Sequence, residues 1–263
     1  MPTAKPGSSQ TSDDQYAGMA ERYDLFFAEP FGEYGEERAA FFRRLFQESG
    51  TRSVLDCACG TGRDLPLFHA LGLEVVGSDI SEAMLEQSRA NLVKLGTDLP
   101  LHRADYRELP EHFRRRFDAV VCLSSSILHM PDEAEALRAF RSMRAVLTEG
   151  GVLVLTQGTS DRQWREKPRF LLARDRPEFT RLFVIDYAGE GARYSVLDIW
   201  HDGGGRLEAW NTDYPHVLLR DDQERLLHQA GFDTIEFYGG FDFAPYDRDT
   251  SNRLITVARR TRR

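Results

Sequence analysis

From about residue 50 to residue 157, short aliphatic runs alternate with longer stretches in which apolar positions recur every three or four residues. That rhythm predicts a parallel sheet with crossover helices. Residues 53–57 (SVLDC), 73–78 (LEVVGS), 99–104 (LPLHRA), 117–123 (FDAVVCL) and 151–156 (GVLVLT) read as five strands. Ser81 opens one helix, with Ala83, Met84, Leu85 and Leu92 on its period, and Asp132 opens a second in the same way. The TEGG segment is expected to stop that second helix at Gly150 or Gly151. Beyond residue 157 the period changes to two. RLFVIDYAG, ARYSVLDIWHD and GRLEAWNTDYPHVLL are β-branched and aromatic runs broken by glycines, and they predict antiparallel hairpins. RDDQERLLHQAGF returns to helix with Gly231 as its stop, and TIEFYG and SNRLITVARR read as two closing strands.

With 263 residues and 41% hydrophobic content the chain can bury a sizeable core, so it is expected to be globular. Its 34 Lys and Arg against 42 Asp and Glu leave a net charge of -8. Such a balance repels nucleic acid and acidic membranes, and it points to a small-molecule partner. No apolar run is long enough to span a bilayer, and the first fourteen residues lack the apolar core of an export signal, so a cytoplasmic location is expected. Cys57, Cys59 and Cys122 form no CxxC pair and have no clustered His, which predicts reduced structural thiols and no metal. The terminal RRTRR reads as a solvated tail.

The stretch VLDCACGTGRD (54–64) runs from strand into two glycines, Gly60 and Gly62, where the chain must turn sharply and present bare backbone to a ligand. A dinucleotide fingerprint would need a small residue where Leu65 stands, and a phosphate-binding loop would need Lys-Ser/Thr where Arg63 and Asp64 stand. What remains is Asp56, Ala58, Gly60 and Gly62, followed by an acid, Asp79, at the end of the next strand. A carboxylate there suits ribose hydroxyls, while Asp56 and the loop amides suit the amino-acid end of a nucleoside–amino-acid ligand.

This pattern resembles the S-adenosylmethionine (SAM) site of class I methyltransferases, and Asp105 with Tyr106 after the third strand continues the resemblance in register. The resemblance implies an α/β, Rossmann-like seven-stranded mostly parallel sheet with an antiparallel β insertion after strand 5. It also implies that Thr61, Ile80, Met84, Leu123 and Ser124 join Asp56, Ala58, Gly60, Gly62, Asp79, Asp105 and Tyr106 around SAM, with S-adenosylhomocysteine as product. Further segments resemble glycine N-methyltransferases: DQYA with Tyr16, FDAVVCLSSSILHMPD with His129, VIDY with Tyr187, DYPHVLL with Tyr214, and FDFAPY. On that likeness the chain divides into a mobile tail (1–14), an N-terminal helical cap (15–50), a SAM-binding core (51–157), an antiparallel insertion capping the substrate (158–218) and a closing helix with strands (219–260). A homo-oligomer whose N-terminal arms cap neighbouring sites is implied as well.

The resemblance implies His129, Tyr16, Tyr187 and Tyr214 around the transferred methyl group, with Ser126, His129, Arg162, Tyr187 and Tyr214 holding the acceptor. Neutral oxygens and aromatic faces suit a centre at which positive charge disappears. One departure stands out: glycine N-methyltransferases carry a carboxylate-holding arginine shortly after the fifth strand, and Gly158 stands at that position, with Arg162 and Arg165 following. N-methylation of a small amine or amino acid is therefore the first reading. O- or C-methylation of a small natural product and a non-catalytic SAM sensor or buffer are the alternatives.

Overall fold

A computed structural model describes residues 19–24, 30–201 and 203–261. Its main sheet has seven strands: β1 (Ser53–Asp56), β2 (Glu74–Asp79), β3 (Leu101–Arg103), β4 (Phe117–Cys122), β5 (Leu147–Gln157), β10 (Thr234–Tyr238) and β11 (Leu254–Arg259), in the order β10-β11-β5-β4-β1-β2-β3. All pairings among β1 to β5 are parallel, and β11 runs antiparallel to both β5 and β10. Every residue of β1 is buried, as a central strand covered on both faces requires. The strand order reverses between β1 and β4, and open sheets of this kind bind ligands beyond the carboxyl ends of the strands at such a point.

Helices cover both faces. On one side lie α1 (Ala20–Tyr23), α2 (Glu36–Ser49), α3 (Leu65–Ala70) and α4 (Glu82–Lys94). The apolar stripe Phe41, Phe42, Leu45 and Phe46 of α2 is buried against that face. The short α5 (Leu109–His112), α6 (Glu133–Ala145) and α8 (Arg220–Ala230) pack on the other, around Phe140, Met143, Leu226 and Leu227. Asp132 caps α6 by accepting the Glu135 N–H at 2.9 Å. Ser81 is the first residue before α4, but its hydroxyl makes no cap bond; the Asp79 carboxylate accepts the Ser81 N–H instead, at 2.9 Å.

The structure departs from the expected elements in two places. Helix α6 ends at Ala145, ahead of TEGG, because the Arg260 guanidinium takes the Arg144 carbonyl at 3.2 Å and the Leu147 carbonyl at 2.7 Å. TEGG then becomes the first part of β5, with a register shift against β4 that absorbs Gly150 at φ +81°. The second departure is β6 (Phe170–Arg176), which joins β7 (Phe179–Ala188), β8 (Gly191–Trp200) and β9 (Leu207–Tyr214) in a separate four-stranded antiparallel sheet. The segment from β5 to this sheet contains α7 (Asp161–Glu166), capped by the Ser160 hydroxyl. No helix among the described residues is long and apolar enough to cross a membrane.

Candidate active site

The glycine loop leaves β1 at Asp56, which is buried and accepts the Ala58 N–H at 3.2 Å. Burial pushes the Asp56 carboxyl well above the usual carboxylate range, and the nearby Asp64 charge adds to the shift. Gly60 and Gly62 have φ of +53° and +81°. A side chain at Gly62 would put its Cβ 2.2 Å from Ser88 Oγ, so bare backbone here is what lets α4 approach the loop. At the end of β2 the Asp79 carboxylate accepts the Gly60 N–H at 2.8 Å with one oxygen and the Ser81 N–H with the other.

Helix α1 lies over this loop. Asp24, just after it, accepts the Thr61 hydroxyl at 2.6 Å and the Asn91 side-chain amide at 2.8 Å. Tyr23 stands in front of Gly60 and borders a small cavity beside the loop, with Ala58, Asp79, Ile80, Met84 and Tyr106 among the other walls. Burial, then the neighbouring Tyr214 and Asp79, hold the Tyr23 phenol above its ordinary range, so it stays neutral.

After β4 the chain takes an unusual path: Ser124 and Ser125 both have positive φ, +55° and +69°. Strain of this kind in non-glycine residues clusters at functional sites. It is held by the Thr156 hydroxyl, which accepts the Ser124 N–H at 2.9 Å, and by the Thr156 carbonyl, which accepts that of Ser125 at 2.8 Å. The turn sends Ser124 toward a large cavity, and a 3-10 turn (Ser126–His129) brings Ser126 and His129 back to the small one. The Tyr106 phenol donates to the Ser126 carbonyl at 3.0 Å. His129 packs edge-on to Tyr214 with ring centroids 5.1 Å apart, and burial lowers its pKa to about 4 against the opposing pull of the Asp213 backbone carbonyl.

The large cavity, about 660 Å³, lies between the end of β5 and the inner face of the four-stranded sheet. Tyr23 and Tyr214 stand on its border with the glycine-loop side. Tyr194, edge-on to Tyr214 at 5.1 Å, is held by Thr159 at 3.1 Å and by Gln163 at 2.9 Å. The floor is a buried amide network: Gln157 donates to the Thr159 and Leu218 carbonyls, Gln223 donates to Gln157, and Thr256 donates to Gln223. No Asp, Glu, His, Cys or Lys is among the described residues that line this cavity.

Several sequence-predicted residues stand elsewhere than expected. Tyr16 lies outside the described residues. Tyr187 shares the inner face of the sheet, but α7 covers it: Trp164 stands edge-on at 5.5 Å and the phenol donates to the Pro168 carbonyl at 3.2 Å, so it lines neither cavity. Arg162 is engaged by Glu166 at 3.0 Å and Asn252 at 3.2 Å, and also lines neither. Asp105 is gripped by the Arg107 guanidinium at 2.9 Å, which holds its carboxyl below the usual range. Leu123 is a buried core residue, and Ser124 and Ser126 face opposite cavities to those expected of them. Tyr23, Tyr194, Trp210, Arg38 and Arg253 border the large cavity without a motif to announce them. Only period-two alternation along β8 and β9, with Tyr194 and Val196 beside Trp210 and Thr212, carries a signal for part of this set.

A glycine loop under Asp79 at the switch point of this sheet order defines a class I, SAM-dependent methyltransferase. The residues fit SAM: a buried, destabilised Asp56 carboxylate favours a nearby cation, Asp79 accepts hydroxyls, and Ile80, Met84 and Tyr106 offer an apolar slot. The chain matches the methyltransferase domain family over residues 54–151. It is 37% identical to the glycine/sarcosine N-methyltransferase of Parasynechococcus marenigrum over 82% of this chain and 74% of that protein. It is 29% identical to the glycine/sarcosine N-methyltransferase of Aphanothece halophytica, over 84% of this chain and 80% of that one. The sugar N-methyltransferase KedS8 of Streptoalloteichus superposes with a TM-score of 0.69 at 27% identity, covering 100% of this chain and 98% of its own. The chain thus belongs to the class I SAM-dependent methyltransferases, close to the glycine N-methyltransferase family.

Proposed function

We propose that the chain methylates the nitrogen of a small amine. SAM, when bound, supplies an electrophilic methyl group on a sulfonium. The observation that carries the nitrogen assignment is the lack of a usable base among the described residues lining the large cavity. A hydroxyl acceptor would have to be deprotonated, yet no carboxylate, thiol, imidazole or lysine amine is among the described residues lining the large cavity. The adjoining His129, with its pKa at about 4, is too weak a base for that task. An amine needs only to arrive unprotonated, and it leaves carrying its own extra charge.

The chain's residues then position and shield. Tyr23, Tyr214 and Tyr194 present neutral phenols and ring faces around the junction of the two cavities, which suits a centre where positive charge is passing from one atom to another. Asp56 and Asp79 are the residues to hold SAM, and Asp105, Thr61 and Leu123 act through their neighbours. Amine acceptors named for the relatives, glycine and sarcosine on one side and amino sugars on the other, support the reading. It extends to a cytoplasmic reaction on a small molecule, without nucleic acid, in keeping with the acidic balance of the chain. Incubating the protein with SAM and matched pairs of amines and alcohols, and following S-adenosylhomocysteine, tests it: product with the amines supports it, and product with the alcohols alone overturns it.

A further inference from the structure

Resting on the N-methylation reading, we propose that Arg253 and Arg38 form a subsite for an anionic group on the acceptor. The acceptor is then an amine that carries a carboxylate or phosphate together with an apolar body.

The cavity is built in two unlike halves. Toward the four-stranded sheet it is walled by Leu171, Phe183, Val196 and Trp210. Toward the main sheet it is walled by Arg38, Asn252 and Arg253 around Phe241. At about 660 Å³ it falls in the range, roughly 300–1,000 Å³, that encloses ligands much larger than a bare amino acid.

Arg38 and Arg253 are the only cations among the described residues that line it. Both guanidiniums lie over the same Phe241 ring, at 5.1 and 5.0 Å from its centroid. Arg38 pairs with Asp64 at 2.7 Å. Among the described residues no carboxylate stands within ion-pairing distance of Arg253, whose guanidinium lies over Phe241 at the cavity wall. Burial and the charge of Arg38 pull the Arg253 pKa below the ordinary value, against the opposing charge of Glu37.

Strand register explains how this arm reaches the cavity. Leu254 of β11 pairs with Gln157 of β5, and Arg253 and Gly158 are the residues just beyond this last pair of the register. Gly158 also lines the cavity, and a Cβ built on it meets no atom within 4 Å. A residue without a side chain and a guanidinium thus both reach the cavity from the ends of these two strands. Planar, bidentate capture of carboxylate or phosphate is what such a fork does best.

The test is calorimetric, on full-length protein saturated with S-adenosylhomocysteine, with inorganic pyrophosphate and phenylacetate as probes. Wild type is expected to bind at least one probe, and Arg253→Gln to weaken it by about tenfold or more. Arg253→Lys, which keeps the charge and loses the fork, is expected to fall between them. Arg141→Gln, which removes one charge from the exposed side of α6, should leave binding unchanged. Preference for pyrophosphate identifies a phosphorylated acceptor and preference for phenylacetate a carboxylated one. Binding of neither probe, or equal binding by wild type and Arg253→Gln, overturns the subsite. Methyl transfer to uncharged amines with no anion binding would overturn the subsite and leave the N-methylation reading standing; anion binding at Arg253 without transfer to any nitrogen would do the reverse.

Discussion

Asp79 accepts the Gly60 N–H at 2.8 Å, so the carboxylate that ends β2 is tied to the glycine loop that follows β1. Its other oxygen holds the Ser81 N–H at 2.9 Å and orients the start of α4. Asp79→Ala removes both acceptors and, with them, the carboxylate proposed to hold the ribose. It is expected to weaken SAM binding by tenfold or more, because charge-assisted bonds contribute about 1.5–3 kcal/mol each. Isothermal titration measures this, and an unchanged dissociation constant would remove Asp79 from the cofactor site.

Asp24 anchors the cap over that loop through Thr61 and Asn91. Asp24→Ala leaves both donors without this acceptor and loosens α1, which places Tyr23 in front of Gly60. Release of S-adenosylhomocysteine is expected to become about tenfold faster, at about 1.4 kcal/mol per factor of ten. Stopped-flow fluorescence reads the rate, and an unaltered rate would mean that α1 does not gate the site.

The parallel core was legible because its signals are local. A wholly apolar β1, two glycines at positive φ and Asp132 ahead of α6 each act within a few residues. Strand β6 was illegible because FLLARDR mixes charges into its alternation and follows Lys167-Pro168. The Arg260 contact that ends α6 joins residues more than a hundred positions apart, which no local reading of TEGG captures. The candidate site divides in the same way. Asp56, Gly60 and Asp79 form a motif, while Tyr23, Arg38 and Arg253 meet only when α1, α2 and the start of β11 are folded onto the ends of β1 and β5. Tyr187 was singled out by the likeness of VIDY to a known segment, and that likeness could not show that Trp164 stands against its ring.

His129 gives a pH signature for stability. Its pKa is about 4 in the fold and about 6.5 in an unfolded chain, so as pH falls the unfolded chain takes up the proton first. The neutral fold is fully favoured above about pH 6.5 and loses roughly 2–3 kcal/mol between there and pH 4. Urea titrations of wild type and His129→Asn at a series of pH values should show the wild type losing more stability over that window. Parallel curves would show that His129 is not held neutral by burial.

Arg181 and Asp198 form a bidentate pair at 2.6 and 2.7 Å with both side chains wholly buried, and Arg22 of α1 approaches Asp198 at 3.7 Å. Asp198→Ala removes this carboxylate from beside a buried guanidinium and is expected to cost about 3–5 kcal/mol. The double change Arg181→Met with Asp198→Leu removes both charges and should be far milder. Urea denaturation compares them; equal losses would show that the loss of the pair, and not the uncompensated charge on Arg181, sets the effect.

The central claim is transfer of a methyl group from SAM to nitrogen, and its most direct measurement is the position of the label. The protein would be supplied with SAM bearing a trideuterated methyl group and a panel of glycine, sarcosine, amino sugars and the corresponding hydroxyl compounds, and the products fragmented by tandem mass spectrometry. The label is predicted on nitrogen. A label found only on oxygen or carbon would contradict the account, as would SAM binding without transfer to any member of the panel.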